Sequence, residues 1–236
     1  MDWNEFDAVL FDLDGVITPT AEIHMRAWSE MFNAYLSGRG VAEPYTEEDY
    51  FTHVDGRPRY DGVRAFLASR GIHLPEGDPS DPPGAETVCG LGNRKNDVFN
   101  EVLARDGIAV FPGSLALMDL LERRGVGMAI VSSSRNARTV LAAAGILGRF
   151  PVIVDGVVAA REHLAGKPAP DTFLHAAALL GVAAARAVVV EDALSGVEAG
   201  RAGGFGLVVG VDRGAGDAAL RGAGADVVVR DLGELA

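Results

Sequence analysis

The stretch Ala8-Val-Leu-Phe-Asp-Leu-Asp-Gly-Val-Ile-Thr-Pro-Thr20 decides how this chain is read. Ala8 to Phe11 is an apolar run of the kind that forms a strand buried on both faces. It stops at Asp12 and Asp14, one residue apart, followed at once by Gly15. A buried strand ending in paired carboxylates puts negative charge at the carboxyl edge of a sheet, where open α/β sheets bind ligands. Asp and Gly are also ordinary turn residues, so the remainder of the chain must separate a site from a surface turn.

Size and composition narrow the classes. The 236 residues suffice for one large domain or a core with a smaller insertion; 48% are hydrophobic and 23% charged, as in soluble globular proteins. A net charge of −12 disfavours nucleic acid, whose phosphates would be repelled. It does not disfavour a small phosphorylated substrate, because a bound cation reverses the local field. With Cys89 as the sole cysteine there is no internal disulfide. The opening Met1-Asp-Trp-Asn-Glu-Phe-Asp7 has acids and no basic region, unlike a secretory signal. The apolar tract Ala176 to Val190 is broken by Gly181 and Arg186, too short to span a bilayer. A cytoplasmic monomer is expected.

Beyond Thr20 the pattern turns helical. Ile23, Ala27, Met31, Ala34 and Tyr35 recur at helical spacing, with Thr20 placed to cap and Gly38 and Gly40 to terminate. His24 and Trp28, four apart, share a face. Residues 41–100 read as irregular and helical: Thr46 and Asp49 suit a capping box, and Asp55 to Gly62 a turn into a helix reaching Arg70. The Pro- and Gly-rich run from Pro75 to Gly92 reads as a surface connector, and Asn93 to Asp97 opens another helix. From Phe111 the grammar is regular: helix 115–124, strand 127–131, helix 136–144, strand 151–154, helix 172–180, strand 187–190, helix 194–202, strand 207–211 and a last strand near 226–229. This alternation predicts an α/β fold, a doubly wound parallel sheet with helices on both faces. The first strand has no sequence neighbour and must join that later sheet. Residues 1–18 and 102–236 then form the core domain, with 19–101 an inserted helical domain.

Several strands end in polar groups: the first in Asp12 and Asp14, the second in Ser132, the fourth in Glu191 and Asp192. In a parallel sheet these ends share one edge. Four carboxylates together repel and raise one another's pKa values; a hard divalent cation, Mg²⁺ above all, removes the conflict. Lys167 and the Ser132 hydroxyl suit phosphate oxygens, leaving one acid to attack phosphorus and another to move a proton. Competing motifs are weaker. Gly200 to Gly206 is glycine-rich but follows a helix and precedes a strand, the reverse of a dinucleotide loop. The five histidines lack zinc-ligand spacing.

Asp12-Leu-Asp14-Gly-Val, Ser132, Lys167-Pro-Ala-Pro170 and Glu191-Asp192 together resemble the four motifs of the haloacid dehalogenase superfamily, across nearly the whole chain. The insertion after the first motif resembles the helical cap of that superfamily, on a Rossmann-like core. Asp14-Gly-Val-Ile-Thr-x-Thr-Ala-Glu-x-His-x-Arg-Ala-Trp28, Arg94-Lys-Asn-Asp97 and Ser132-x-Ser-Arg-Asn136 are similar to the β-phosphoglucomutase-like family within it. The resemblance implies that Asp12 is the nucleophile, and Asp14 the general acid/base with its main-chain carbonyl on Mg²⁺. It implies that Ser132 and Lys167 hold the transferring phosphoryl group, with Glu191 and Asp192 completing a metal site of Asp12, Asp14, Glu191 and Asp192. Arg59, Ser134 and Asn136 would grip the distal phosphate, and Lys95 and His24 would face the sugar. Thr20 and Trp28 count among the substrate-binding residues. Arg57 competes with Arg59, which is chosen for its spacing to Asp61. Pro19 stands where the family often has an acid, and the loop from Pro75 to Cys89 is longer than expected.

The activity implied is a mutase interconverting β-D-glucose 1-phosphate and glucose 6-phosphate through a bisphosphate. A phosphatase of small sugar or polyol phosphates shares the same core, and a non-catalytic sugar-phosphate sensor is the alternative from another class.

Overall fold

Four-residue β1 (Ala8–Phe11) is buried along its whole length, and that burial follows from its place in the middle of the sheet. In the computed structural model, which describes residues 1–54 and 59–236, six strands run in the order β3-β2-β1-β4-β5-β6. They are β2 (Gly127–Val131), β3 (Val152–Val154), β4 (Ala187–Glu191), β5 (Leu207–Val211) and β6 (Val227–Val229), and every pairing is parallel. Helices cover both faces. Leu10 packs in one cluster with Phe173, Ala176 and Ala177, whereas Phe11, on the opposite face, meets the Phe150 ring edge-on.

The chain divides into two units, residues 1–20 with 108–236 and residues 21–107. The helices are α1 (Thr20–Gly38), α2 (Glu47–Asp49), α3 (Arg59–Ser69), α4 (Val88–Asp106), α5 (Pro112–Arg124), α6 (Ala137–Ala143), α7 (Gly156–Arg161), α8 (Asp171–Leu180), α9 (Leu194–Ala202) and α10 (Asp217–Ala223). The return crossing expected near residue 102 falls inside α4, which runs unbroken to Asp106 and ends on Gly107 at φ +67°. The division therefore lies at 107/108. The unit of residues 21–107 has its own aromatic core, with Phe32 between Trp28, Tyr45 and Phe66.

Two local readings change. The helix expected to open at Asn93 starts five residues earlier, capped by Thr87 Oγ1 on the Gly90 N–H. Gly90 and Gly92 look like helix breakers but sit inside α4 for reasons of space: a Cβ on Gly90 would lie 2.6 Å from Ala85 O, and one on Gly92 2.7 Å from the Tyr60 ring. The Pro- and Gly-rich connector is likewise pinned. Asn93 donates to Pro79 O and Asp81 O, Arg94 donates to Pro83 O, and Asp81 accepts from Thr87 Oγ1. The capping box at Thr46 and Asp49 forms, but α2 passes directly into a π-helical turn over Tyr50–Val54. Of the turn expected over Asp55 to Gly62, residues 55–58 lie outside the described residues, whereas Arg59 to Gly62 already belong to α3 (Arg59–Ser69).

Candidate active site

The sheet register sets the site. Phe11 is level with Ile130 on β2 and Val190 on β4, so Asp12, Val131 and Glu191 arrive side by side at the carboxyl edge. Lys167 closes the group from the segment before α8, following a loop rather than a strand, across a cis peptide bond to Pro168. Its Nζ donates to Asp12 Oδ1 at 2.5 Å, to Glu191 Oε1 at 2.5 Å and to Val131 O at 3.0 Å, and lies 4.9 Å from the centre of the Phe173 ring. Burial alone would push this ammonium down; the Asp12 and Glu191 carboxylates outweigh burial, and its pKa is raised. Lys167 is thus a fixed positive charge.

Glu191 spends its other oxygen on the main chain, accepting from the N–H groups of Asp192 and Ala193 at 2.9 Å each. Gly196, in the first turn of α9, makes room for it: a Cβ there would stand 1.8 Å from Glu191 Oε1. Asp192 lies over Gly15, where a Cβ would come within 2.0 Å of Asp192 Oδ2. Gly15 also adopts φ +82°, so two independent constraints require glycine. Burial, then the charges of Asp12, Glu191 and Asp14, push the Asp192 carboxyl up to about 8.

Four carboxylates therefore share this edge with one ammonium, an excess of negative charge that suits a divalent cation. Among the described residues no three His, Cys, Asp or Glu side chains form a ready-made metal cage. Lys167 sits between Asp12 and Glu191, two of the four acids expected to hold the ion. In this geometry Glu191 orients Lys167 and the Asp192 main chain. The donors that suit a cation by chemistry are the carboxylates of Asp12, Glu191 and Asp192 with the Asp14 segment.

Ser132 directly follows β2, buried, with its N–H on Val154 O. Its hydroxyl accepts from Ser134 N at 3.0 Å, and the Ser134 hydroxyl accepts from Asn136 N at 3.1 Å, so the two serines build successive turns into α6. Thr20 takes a different part from the one expected. It is fully buried, its hydroxyl paired with Thr18 Oγ1 at 2.7 Å, and it presents no surface to a substrate.

In the helical unit, Lys95 is buried and its Nζ donates to His24 Nδ1 at 2.6 Å, above the rings of Trp28 and Phe99. That bond requires an unprotonated Nδ1. Desolvation, then Lys95 and Arg59, hold His24 well below the usual histidine value. Trp28 is a core residue, stacked on Phe32. Arg59, at the start of α3, donates to Asn96 Oδ1 at 3.0 Å, and Tyr60 OH donates to Asn93 Oδ1 at 3.0 Å. Arg57 lies outside the described residues. The residues missed from sequence are Gly196, Val131 through its carbonyl, and Phe173; each acts by spatial fit and carries no motif.

A family model described as haloacid dehalogenase-like hydrolase matches residues 6–204. The chain belongs to the haloacid dehalogenase-like hydrolase family. It is 54% identical to a β-phosphoglucomutase of Mycobacterium bovis over 97% of this chain and 90% of that protein. A β-phosphoglucomutase of Bacillus subtilis is 33% identical over 97% and 91% respectively. Among solved structures, a protein of Thermotoga maritima described as a putative β-phosphoglucomutase superposes with a TM-score of 0.77 at 25% identity, covering 97% of this chain and 96% of that one. The protein is an enzyme of this family, with the parallel sheet and strand-end acids of the fold in place. Among the described residues no helix is long and apolar enough to cross a membrane.

Proposed function

We propose that this enzyme is a β-phosphoglucomutase, converting β-D-glucose 1-phosphate to glucose 6-phosphate through a bisphosphate by way of an aspartyl phosphate on Asp12. The observation that carries the reading is the Lys167 ammonium held on Asp12 Oδ1 and Glu191 Oε1 at the mouth of β1. Lys167 orients the Asp12 carboxylate for in-line attack and neutralises charge on the phosphoryl oxygens. The Ser132 hydroxyl is the second holder of those oxygens. Asp14 gives a proton to the leaving oxygen and takes one from the incoming hydroxyl. Asp12, Glu191, Asp192 and the Asp14 main chain would hold Mg²⁺, which would supply Lewis-acid neutralisation of the phosphoryl group.

The substrate choice is supported by the full-length similarity to β-phosphoglucomutases. Ser134, Asn136 and Arg59 are assigned to the distal phosphate, and His24 and Lys95 to the sugar, in a monomer acting in the cytoplasm. Phosphorus NMR of β-glucose 1-phosphate with Mg²⁺ and a trace of bisphosphate tests the reading. Glucose 6-phosphate is the expected product, and inorganic phosphate as the main product overturns the mutase assignment in favour of a phosphatase. Arg59→Ala is expected to weaken substrate binding while Asp12 still becomes phosphorylated; unchanged mutase rates would remove Arg59 from this role.

A further inference from the structure

Arg213 follows β5 at the same carboxyl edge, two strands from Asp12, and belongs to none of the four motifs. Although exposed, its guanidinium is fully directed. Nε donates to Gly15 O at 2.7 Å, Nη1 donates to Arg230 O at 3.2 Å, and Cζ stands 4.0 Å from the centre of the Phe111 ring. Phe111 in turn donates its N–H to Ile17 O at 3.0 Å. The nucleophile loop is therefore gripped twice, once directly at Gly15 and once through the residue on which Arg213 lies.

We propose that Arg213 is a positioning residue for the loop that carries Asp12 and Asp14. The Gly15 N–H is held by Thr18 O at 2.8 Å, so the Arg213 bond to Gly15 O fixes the peptide on the other side of the same Cα. With both peptides held, Gly15 keeps the φ of +82° that lets Asp192 lie over it and fixes the main chain next to Asp14. The planar fork of arginine grips a carbonyl while lying flat on an aromatic ring; lysine retains the charge and one donor but not the plane. Arg213 contributes nothing to the buried core, so its effect is on geometry at the loop and only slightly on folding. The inference rests on the roles given above to Asp12 and Asp14.

The test compares Arg213→Ala, Arg213→Lys and Phe111→Leu with the native enzyme. Each is assayed on β-glucose 1-phosphate and on p-nitrophenyl phosphate, well below its own melting temperature. Misplacement of reacting groups by about 1 Å costs on the order of 100-fold in rate. Arg213→Ala is therefore expected to lose roughly 10- to 100-fold in kcat on both substrates, with KM and melting temperature little changed. Arg213→Lys recovers part of the loss, and Phe111→Leu falls between native and Arg213→Ala. Rates for Arg213→Ala within twofold of native on both substrates, or a loss that disappears once the variant is fully folded, overturn the inference. A native enzyme that hydrolyses p-nitrophenyl phosphate but leaves β-glucose 1-phosphate untouched defeats the proposed substrate alone, and Arg213 is then judged on the first rate.

Discussion

Replacing Gly196 by alanine puts a methyl group into the space Glu191 occupies. The added Cβ would lie 1.8 Å from Oε1, 1.9 Å from Cδ and 2.5 Å from Cγ of that residue. Ordinary contact between such atoms is about 3.5 Å, so the carboxylate must retreat by roughly 1.5 Å or the first turn of α9 must lift off β4. Retreat of the carboxylate ends the 2.5 Å bond to Lys167 and the two 2.9 Å bonds to the Asp192 and Ala193 N–H groups, and lifting the turn pulls the Ala193 N–H away. Breaking one member out of a buried ion pair costs about 3–5 kcal/mol, a large part of the 5–15 kcal/mol that holds a typical domain folded. Lys167 keeps Asp12 but loses its second anchor, and a fall in turnover of about 100-fold follows, equivalent to roughly 2.7 kcal/mol of barrier. Urea unfolding measures the first quantity and glucose 6-phosphate formation the second, at a temperature where the variant is folded. Gly200→Ala is the control. On the same helix its Cβ meets Val189 Cγ1 at 3.0 Å and Val208 Cγ2 at 3.2 Å, away from the acids, so it loses stability alone. Turnover by Gly196→Ala within threefold of native, or an equal catalytic loss in Gly200→Ala, would refute the reasoning.

Other expectations follow from single residues. Asp12→Ala removes the nucleophile, and all turnover should vanish by phosphorus NMR; substantial residual activity would take that role from Asp12. His24 is held neutral by desolvation and by Lys95 and Arg59. Below about pH 6.5 the unfolded chain binds a proton that the folded ring refuses, so stability falls as pH drops, by at most about 1.4 kcal/mol per unit. Chemical denaturation between about pH 5 and 7 should show a shallower slope for His24→Gln, and superimposable slopes would contradict the assignment. His163 holds φ +55° in an exposed turn, a left-handed conformation that strains most side chains. His163→Gly should raise stability by about 0.5–1 kcal/mol in urea titration, and a decrease would show that the turn carries no strain.

Much of the architecture was legible because its signals are local. The run from Ala8 to Phe11 can be satisfied only between two neighbours and two layers of helices, and the alternation after Phe111 supplies both. Reading failed where a residue's task is spatial. Gly90 and Gly92 suggest an interrupted helix, yet they are small because Ala85 and Tyr60 press against them. The Pro-rich segment before α4 looks loose, yet Asn93 and Arg94 fasten its carbonyls. Thr20 carries a family pattern, but its hydroxyl is turned inward to Thr18. The helices α7 and α10 are too short for periodicity to signal them.

The amino-acid order alone determined that apolar strands would end in Asp12, Ser132 and Glu191-Asp192, and that a lysine stood before a later helix. It determined these things because strand ends and helix caps depend on a few adjacent residues. Only the folded chain decided how four acids divide one ammonium: Lys167 between Asp12 and Glu191, with Asp192 over Gly15. That division depends on the register of β1 with β4 and on the absence of a Cβ at positions 15 and 196. Coulomb forces and steric exclusion act over distances in space, and residues 12, 167 and 191 become neighbours only when the sheet has formed.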